Sequence, residues 1–204
     1  MPLPGRRTAP VDWLIVGLGN PGAEYVGTPH NIGFEVANRL AARWGLGRPR
    51  SKYRALITDG SAREGGLPGG QATRVAIVLP QTYMNESGKS VGPARGELKV
   101  QPDHVLVLHD EIDLPFGDIR TRLGGGLAGH NGLKSIKAEL GTADFQRVRI
   151  GVGRPPTTDP DRVAAFVLGK FRESKADVDA LIDAAADAAE RVIFAPAEPA
   201  QPAS

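Results

Sequence analysis

Trp13-Leu14-Ile15-Val16-Gly17-Leu18-Gly19-Asn20-Pro21-Gly22-Ala23-Glu24-Tyr25, running on to Thr28-Pro29-His30-Asn31, is the stretch on which the reading of this chain turns. Its apolar opening predicts a buried strand over about 12–17. A Gly-rich turn and an Asn follow, and then a His just inside a predicted helix. The spacing G-x-G-x-x-G (Gly17, Gly19, Gly22) after a strand invites a dinucleotide-binding reading. That turn needs a helix that starts at once, so that its N-terminus faces a pyrophosphate. Here Pro21 and Pro29 delay the helix, and no strand ending in Asp or Glu follows about 20 residues on. The glycines therefore argue for a tight exit from the strand rather than a phosphate cradle.

Working outward, Thr28 is a predicted N-cap with Pro29 at the first helical position. A helix is expected from Asn31 to Trp44, with Val36, Ala37, Leu40, Ala41 and Trp44 as its apolar stripe. Tyr53 to Thr58 and Arg74 to Leu79 read as strands around a Gly-rich surface loop over 60–71. Between Asn85 and Lys99, Gly88, Gly92, Pro93 and Gly96 weaken any long helix. Val105 to Leu108 is a continuous apolar run, the pattern of a central strand buried on both faces, and it ends in His109-Asp110-Glu111. Asp118 to Leu123 alternates like an edge strand. A glycine-rich mobile loop, Gly124 to Gly132, leads to a short helix, Leu133 to Leu140, stopped by Gly141. Arg147 to Val152 is a further strand. Ser174 opens a last helix whose buried face carries Val178, Leu181, Ile182, Ala185, Ala189 and Val192.

Strands alternating with helices predict a single three-layer αβα domain over 11–194, with a mixed, mostly parallel twisted sheet. Residues 1–10 read as a disordered leader and 195–204 as a disordered Pro/Ala-rich tail. In such sheets ligands bind outside the carboxyl ends of the strands, and Asn20, Asn85 and Asp110 all follow strands there.

Composition narrows the options. The 204 residues contain no cysteine, which removes thiolate metal sites, Cys nucleophiles and disulfides, and suits a reducing cytoplasm. No apolar run approaches the roughly 18 to 20 residues that cross a bilayer. The net charge of +2 divides into +5 over residues 1–150 and −3 over 151–204, so the larger part tolerates a phosphate-bearing partner. Gly88-Lys89-Ser90 resembles the end of a phosphate-binding loop, but Tyr83 stands where its first Gly belongs. His30, His104, His109 and His130 show no zinc-ligand spacing, and Ser87 lacks a nucleophile elbow.

What remains is a His, a carboxylate and several Asn residues. A His near a helix N-terminus feels the positive end of the helix dipole, which disfavours its charged form. A carboxylate on its other nitrogen pulls the opposite way and fixes the tautomer. Together they leave an imidazole able to deprotonate water near neutral pH. Asn side chains offer a donor and an acceptor without charge, suited to an amide-containing substrate and a developing oxyanion.

Five motifs stand in order: GLGNPG-x-x-Y-x-x-T-x-HN from Gly17, P-x-T-Y-M-N-x-SG from Pro80, HDEIDLPFG from His109, GGGLAGHNGLKSI from Gly124 and RVRIGVGRP from Arg147. Together, over about residues 13–170, they resemble the bacterial-type peptidyl-tRNA hydrolases. The resemblance implies a monomeric, cytoplasmic α/β enzyme without metal or cofactor. Such an enzyme cleaves the ester between a peptide and the 3′ ribose of tRNA and so returns tRNA to translation. It implies His30 as catalytic base, Asp110 as the carboxylate that orients it, and Asn20 as the residue separating N-blocked from free aminoacyl-tRNA. Tyr25, Tyr83, Asn85 and Asn131 match substrate-contacting positions. Arg122, Arg149 and Lys134 stand where the family presents cations to tRNA phosphates.

Three departures accompany the match. Pro29 stands in place of a common Arg, Leu127-Ala128 interrupt a loop usually richer in Gly, and the C-terminus lacks the family's usual final segment. Two rivals predict differently. A non-enzymatic RNA-binding relative, like the chloroplast splicing cofactors, would keep basic surface without an intact His/Asp/Asn set. A hydrolase of small peptide esters would show little salt dependence.

Overall fold

The computed structural model describes residues 10–66 and 72–195. Apart from Pro10 and Ala195, the predicted leader and tail lie outside these residues.

Seven strands form one sheet in the order β2-β3-β4-β1-β5-β7-β6. They are β1 (Trp13–Gly17), β2 (Arg50–Lys52), β3 (Ala55–Ala62), β4 (Thr73–Pro80), β5 (Val105–Glu111), β6 (Ile119–Leu123) and β7 (Gln146–Gly151). The centre is parallel: β1 pairs with β4 and β5, and β5 with β7. The β2–β3, β3–β4 and β6–β7 pairs are antiparallel. Five of the seven strands thus share one direction, because β2 reverses twice relative to β4. The sheet is mixed and mostly parallel, as the alternation of elements predicts.

Helices cover both faces, which accounts for the unbroken apolar runs of β1 and β5. Successive side chains on a strand point to opposite faces, so Ile15, Ile77, Leu106 and Leu108 face α1 (Ile32–Arg43) and α5 (Lys175–Phe194). Leu14, Val16, Val78, Val105 and Val107 face the layer of α2 (Gly88–Leu98) and α3 (Asn131–Leu140), meeting Val91, Leu133 and Ile136. All seven residues of β5 are buried, and it is central, as its composition requires. On α5, Leu181, Ile182, Ala185 and Ala189 are buried with Val178 and Val192 packed beside them, and the Ser174 hydroxyl caps the Asp177 N–H.

The glycines of the opening stretch serve packing. A Cβ on Gly17 would lie 2.6 Å from the Gly33 carbonyl, and one on Gly33 would strike the Leu108 and Leu18 backbones. This pair of glycines lets the start of α1 rest directly on the ends of β1 and β5. Gly22 takes φ 123°, a value that side-chain-bearing residues avoid, and turns the chain out of the strand. The helix starts one residue later than predicted, after a 3₁₀ turn over Pro29–Asn31. Thr28 does not cap it with its side chain, since its hydroxyl donates to the Tyr25 carbonyl.

Elsewhere local chemistry moved the boundaries. Tyr53 and Arg54, predicted in a strand, form the two-residue loop of the β2–β3 hairpin, both with positive φ (55° and 52°) as such turns demand. Residues 60–62, predicted as loop, extend β3, because they pair with Thr73 to Val75 of β4. The weak helix signal over 85–99 resolves into α2, where a Cβ at Gly88 would strike the Ser135 carbonyl and one at Gly92 the Glu139 side chain. Packing against α3 compensates for the low propensity. A further helix, α4 (Pro160–Leu168), was not read from the sequence, although Asp159 caps it and Pro160 opens it.

Candidate active site

The strand order switches sides at β1: after β1 the chain goes to the edge strand β2 and returns inward through β3 and β4 to one flank of β1, then adds β5 on its other flank. A crevice opens outside the carboxyl ends of strands at such a switch point. It is a cleft of about 630 Å³ lined by, among others, Asn20, His30, Tyr83, Asn85, Asp110 and Asn131. Thus six of the seven residues predicted as catalytic or substrate-contacting line one cleft, and the predicted phosphate contacts Arg122, Arg149 and Lys134 do not. Tyr25 is not among the lining residues; its backbone carbonyl accepts the Thr28 hydroxyl at the base of the loop.

Asp110, near the end of β5, is the centre of the cleft. Its buried carboxylate meets Nδ1 of His30 with both oxygens at 3.0 Å, and Oδ1 also meets Nε2 of His130 at 3.0 Å. A carboxylate only accepts, so each of those nitrogens carries a proton. The lone pair of His30 is therefore on Nε2, and the ring lines the cleft. Burial works to lower the pKa of His30, but the charge and hydrogen bond of Asp110 outweigh it and raise the value above 6.5. Burial likewise opposes the charge on Asp110, but the two histidines hold its carboxyl well below the usual carboxylate range.

His109, one residue earlier, has the opposite fate. It is buried, its Nδ1 donates to the Asp110 carbonyl at 2.7 Å, and its Nε2 has no partner among the described residues. Burial first, then neighbouring His130, pushes its pKa down to about 3. It stays neutral and inside the core, with no claim on the chemistry.

Asn20 is held at three points. Its N–H donates to Asn31 Oδ1 at 2.9 Å, its carbonyl accepts from Asn31 Nδ2 at 2.9 Å, and its Oδ1 accepts the Met84 N–H at 2.8 Å. With Oδ1 committed, Nδ2 of Asn20 is the group left to donate into the cleft. Asn31 thereby acts as a clamp on Asn20; the adjacent HN of the first motif was its only trace in the sequence. Asn85 and Asn131 are exposed at the rim, and Tyr83 is 62% exposed at the mouth.

The far wall is apolar, formed by Ile112 of the β5–β6 turn and by Val163, Ala164, Val167 and Leu168 of α4. Glu111, also buried, accepts from Nε of Arg149 at 3.1 Å. Arg149 is therefore half of an ion pair rather than a free surface cation, whereas Arg122 and Lys134 are exposed. Nitrogen and oxygen atoms of His30, Asp110 and His130 lie within 4.8 Å of one another, close enough to be considered as metal ligands. Each ring nitrogen also lies 3.0 Å from the carboxylate, the length of a hydrogen bond, so a proton suffices to hold each contact.

An imidazole nitrogen backed by a carboxylate thus lies beside a free carboxamide donor in the crevice of an α/β fold. Sequence comparison places the chain in a family. The profile of the peptidyl-tRNA hydrolase family matches residues 14–202, past residue 170 where the recognisable motifs end. A peptidyl-tRNA hydrolase of Mycobacterium tuberculosis is 48% identical over 190 residues, covering 92% of this chain and 94% of its own. That of Mycobacterium avium is 49% identical over 190 residues with the same coverage. The crystal structure of the peptidyl-tRNA hydrolase from Acinetobacter baumannii superposes with a TM-score of 0.75 at 39% identity, over 89% of this chain and 86% of that one. The chain belongs to the peptidyl-tRNA hydrolase family. Among the described residues no helix is long and apolar enough to cross a membrane.

Proposed function

We propose that this enzyme hydrolyses the ester between a peptide and the 3′ ribose of tRNA, with His30 as general base. The observation that carries the reading is the pairing of His30 Nδ1 with both oxygens of Asp110 at 3.0 Å, which leaves Nε2 as the proton acceptor in the cleft. Nε2 takes a proton from water, and the hydroxide formed attacks the ester carbonyl carbon. Asp110 stabilises the imidazolium. Nδ2 of Asn20 donates to the carbonyl oxygen as it gains negative charge. The intermediate then collapses, and the ribose oxygen leaves with the proton from His30.

Asn85 and Asn131, both exposed and both lining the cleft, are suited to hold the peptide amides of the substrate. The apolar face of α4 is suited to its side chains. Tyr83 at the mouth offers a ring to the terminal nucleoside, and Arg122 and Lys134 offer cations to phosphates, contacts that position without reading bases. Asn20 separates an N-blocked substrate, with its amide carbonyl and N–H, from a free aminoacyl ester, whose ammonium cannot accept a hydrogen bond.

The test is release of an N-acetylated aminoacyl group from tRNA, with the unblocked aminoacyl-tRNA as control. His30→Ala is expected to lose about 10² to 10⁴-fold in turnover, the usual worth of general-base assistance, while folding normally. Near-wild-type turnover by that variant sinks the mechanism, and equal rates on the two substrates contradict the role of Asn20. Affinity should fall steeply with salt; a flat salt profile favours a hydrolase of small esters that has no use for tRNA.

A further inference from the structure

His130 carries two tasks that a single side chain rarely combines. It is the N-cap of α3, where Nδ1 accepts the backbone N–H groups of Gly132 at 3.1 Å and Leu133 at 3.4 Å. A ring nitrogen that accepts has no proton, so the ring proton is on Nε2, facing Asp110 Oδ1 at 3.0 Å. The usual caps are Ser, Thr, Asp and Asn, which satisfy the helix but offer no second donor on the far side. The ring fits because residue 132 is glycine: a Cβ there would lie 3.2 Å from His130 Cε1 and 2.6 Å from the Met84 sulfur.

We infer that His130 is a positioning residue whose tautomer is locked by the N-terminus of α3, and that its Nε2–H, by neutralising part of the Asp110 charge, sets the pH at which His30 becomes a base. The inference rests on His30 being that base. Every charged or titratable neighbour can be named. From β5 come Asp110, His109, edge-on with ring centroids 5.0 Å apart, and Glu111, which is paired with Arg149. From the turn before α1 comes His30, its ring centroid 5.3 Å away. From β7 comes Arg147, whose guanidinium bonds the Gly124 and Gly126 carbonyls beneath the loop. The first turn of α3 has no acidic residue. A second proton on His130 would aim an N–H at two backbone N–H groups and set two imidazoliums on one carboxylate once His30 is charged. The helix thus enforces a neutral donor beside Asp110.

The sign of the effect follows. Asp110 raises the pKa of His30 by favouring its charged form. A second donor on the same carboxylate weakens that pull. Removing the donor but keeping the cap, as in His130→Asn, leaves the full charge of Asp110 on His30. The His30 titration should then move up by about half a unit to one unit, and the acidic limb of kcat/KM should move with it. At pH 6, below both limbs, this is about a threefold to tenfold loss. A purely structural role would lower activity equally at all pH values.

The experiment is ¹⁵N–¹H long-range NMR on histidine-labelled full chain, wild type and His130→Asn, with the pH–rate profile of each. In the wild type the neutral His130 ring should show protonated Nε2 and bare Nδ1. His130→Ala, which loses cap and donor, should melt lower than His130→Asn yet give the same upward shift of His30. A proton on Nδ1, or an unmoved or lowered His30 titration in a folded variant, overturns the inference. Because NMR reads His30 without turnover, an active His30→Ala would refute the mechanism and leave this test intact.

Discussion

The two walls of the cleft are built on different principles. The wall of Asn20, His30 and Asp110 rests on the sheet: Asp110 lies on a strand paired on both sides, and Asn20 is gripped by three hydrogen bonds. The other wall, beside the apolar face of α4, is the loop 124–130, whose Ala128, Gly129 and His130 line the cleft and where Gly124, Gly125, Ala128 and Gly129 all take positive φ. Its ties to the body are few: Arg147 on the carbonyls of Gly124 and Gly126, the Gly124 N–H to the Phe145 carbonyl, and His130 on Asp110. Rigid elements suit groups proposed to transfer protons, while a segment with few ties suits admission of a bulky substrate and release of its product. The difference teaches where each kind of variant should act: on the sheet wall through kcat and its pH dependence, on the loop wall chiefly through KM.

The largest effect should come from breaking the sheet wall at its centre. In Asp110→Asn the imidazolium formed in the transition state loses its counter-ion, and kcat/KM is expected to fall by at least about 10²-fold. The pH profile carries the diagnosis. Asp110 overcomes burial and raises the pKa of His30 in the native enzyme; with the carboxylate gone only burial remains, so the acidic limb should move to lower pH even as the rate falls. Stability follows the same signs. The raised pKa of His30 gives the wild type stability that is complete below pH 6.5 and is lost as pH rises through the folded value. The depressed pKa of Asp110 contributes stability above its unfolded value that is lost only as pH falls through the folded one. Urea midpoints at pH 6 and 9 should therefore lie closer together, or reverse in order, in Asp110→Asn. An acidic limb that stays in place would refute the pairing.

The sheet wall was legible in the sequence for a physical reason. A strand buried on both faces announces itself as an apolar run, and the residues that end it must then lie at the sheet's edge. That logic groups Asn20 and Asp110 from the sequence alone. The loop wall was not legible in this way. Periodicity is silent on glycine-rich segments, so nothing in the pattern said that His130 would turn back to Asp110 or that the buried Arg147 would reach the loop carbonyls. α4 was passed over, although Asp159-Pro160 is a start signal. Tyr25 illustrates the converse: a motif position near the site in sequence, with its backbone carbonyl used to build the turn.

A smaller effect should come from loosening the loop wall. Arg147 is 1% exposed and has no carboxylate partner within hydrogen-bond reach among the described residues; carbonyls of the loop are its partners. Arg147→Met removes these charge-assisted bonds, at a cost of about 2 kcal/mol, offset in part because a buried charge no longer needs accommodation. The carbonyls of Gly124 and Gly126 can then turn to water, and Asn131 loses its register with the sheet wall. KM should rise several-fold while the pH limb stays in place, and amide exchange should quicken over 124–131 and not in β1 or β5. A kcat loss with unchanged KM and unchanged exchange would show that Arg147 does not hold the loop.

The smallest effect tests whether the loop's departure from its glycine-rich relatives matters. Ala128 sits at φ 47°, in the left-handed region that a Cβ disfavours by about 1–2 kcal/mol. Gly at this position would relieve that strain, but the unfolded chain would gain conformational freedom of about 0.5–1 kcal/mol. The two terms oppose each other, and the first is larger. Ala128→Gly should therefore raise the denaturation midpoint by the equivalent of about half a kcal/mol with an unchanged m-value. The same substitution leaves the Arg147 and His130 ties in place, so KM should move by less than twofold. If Ala128→Gly destabilises the protein instead, the methyl group contributes packing that outweighs its backbone strain, and the loop wall is held more firmly than its few hydrogen bonds imply.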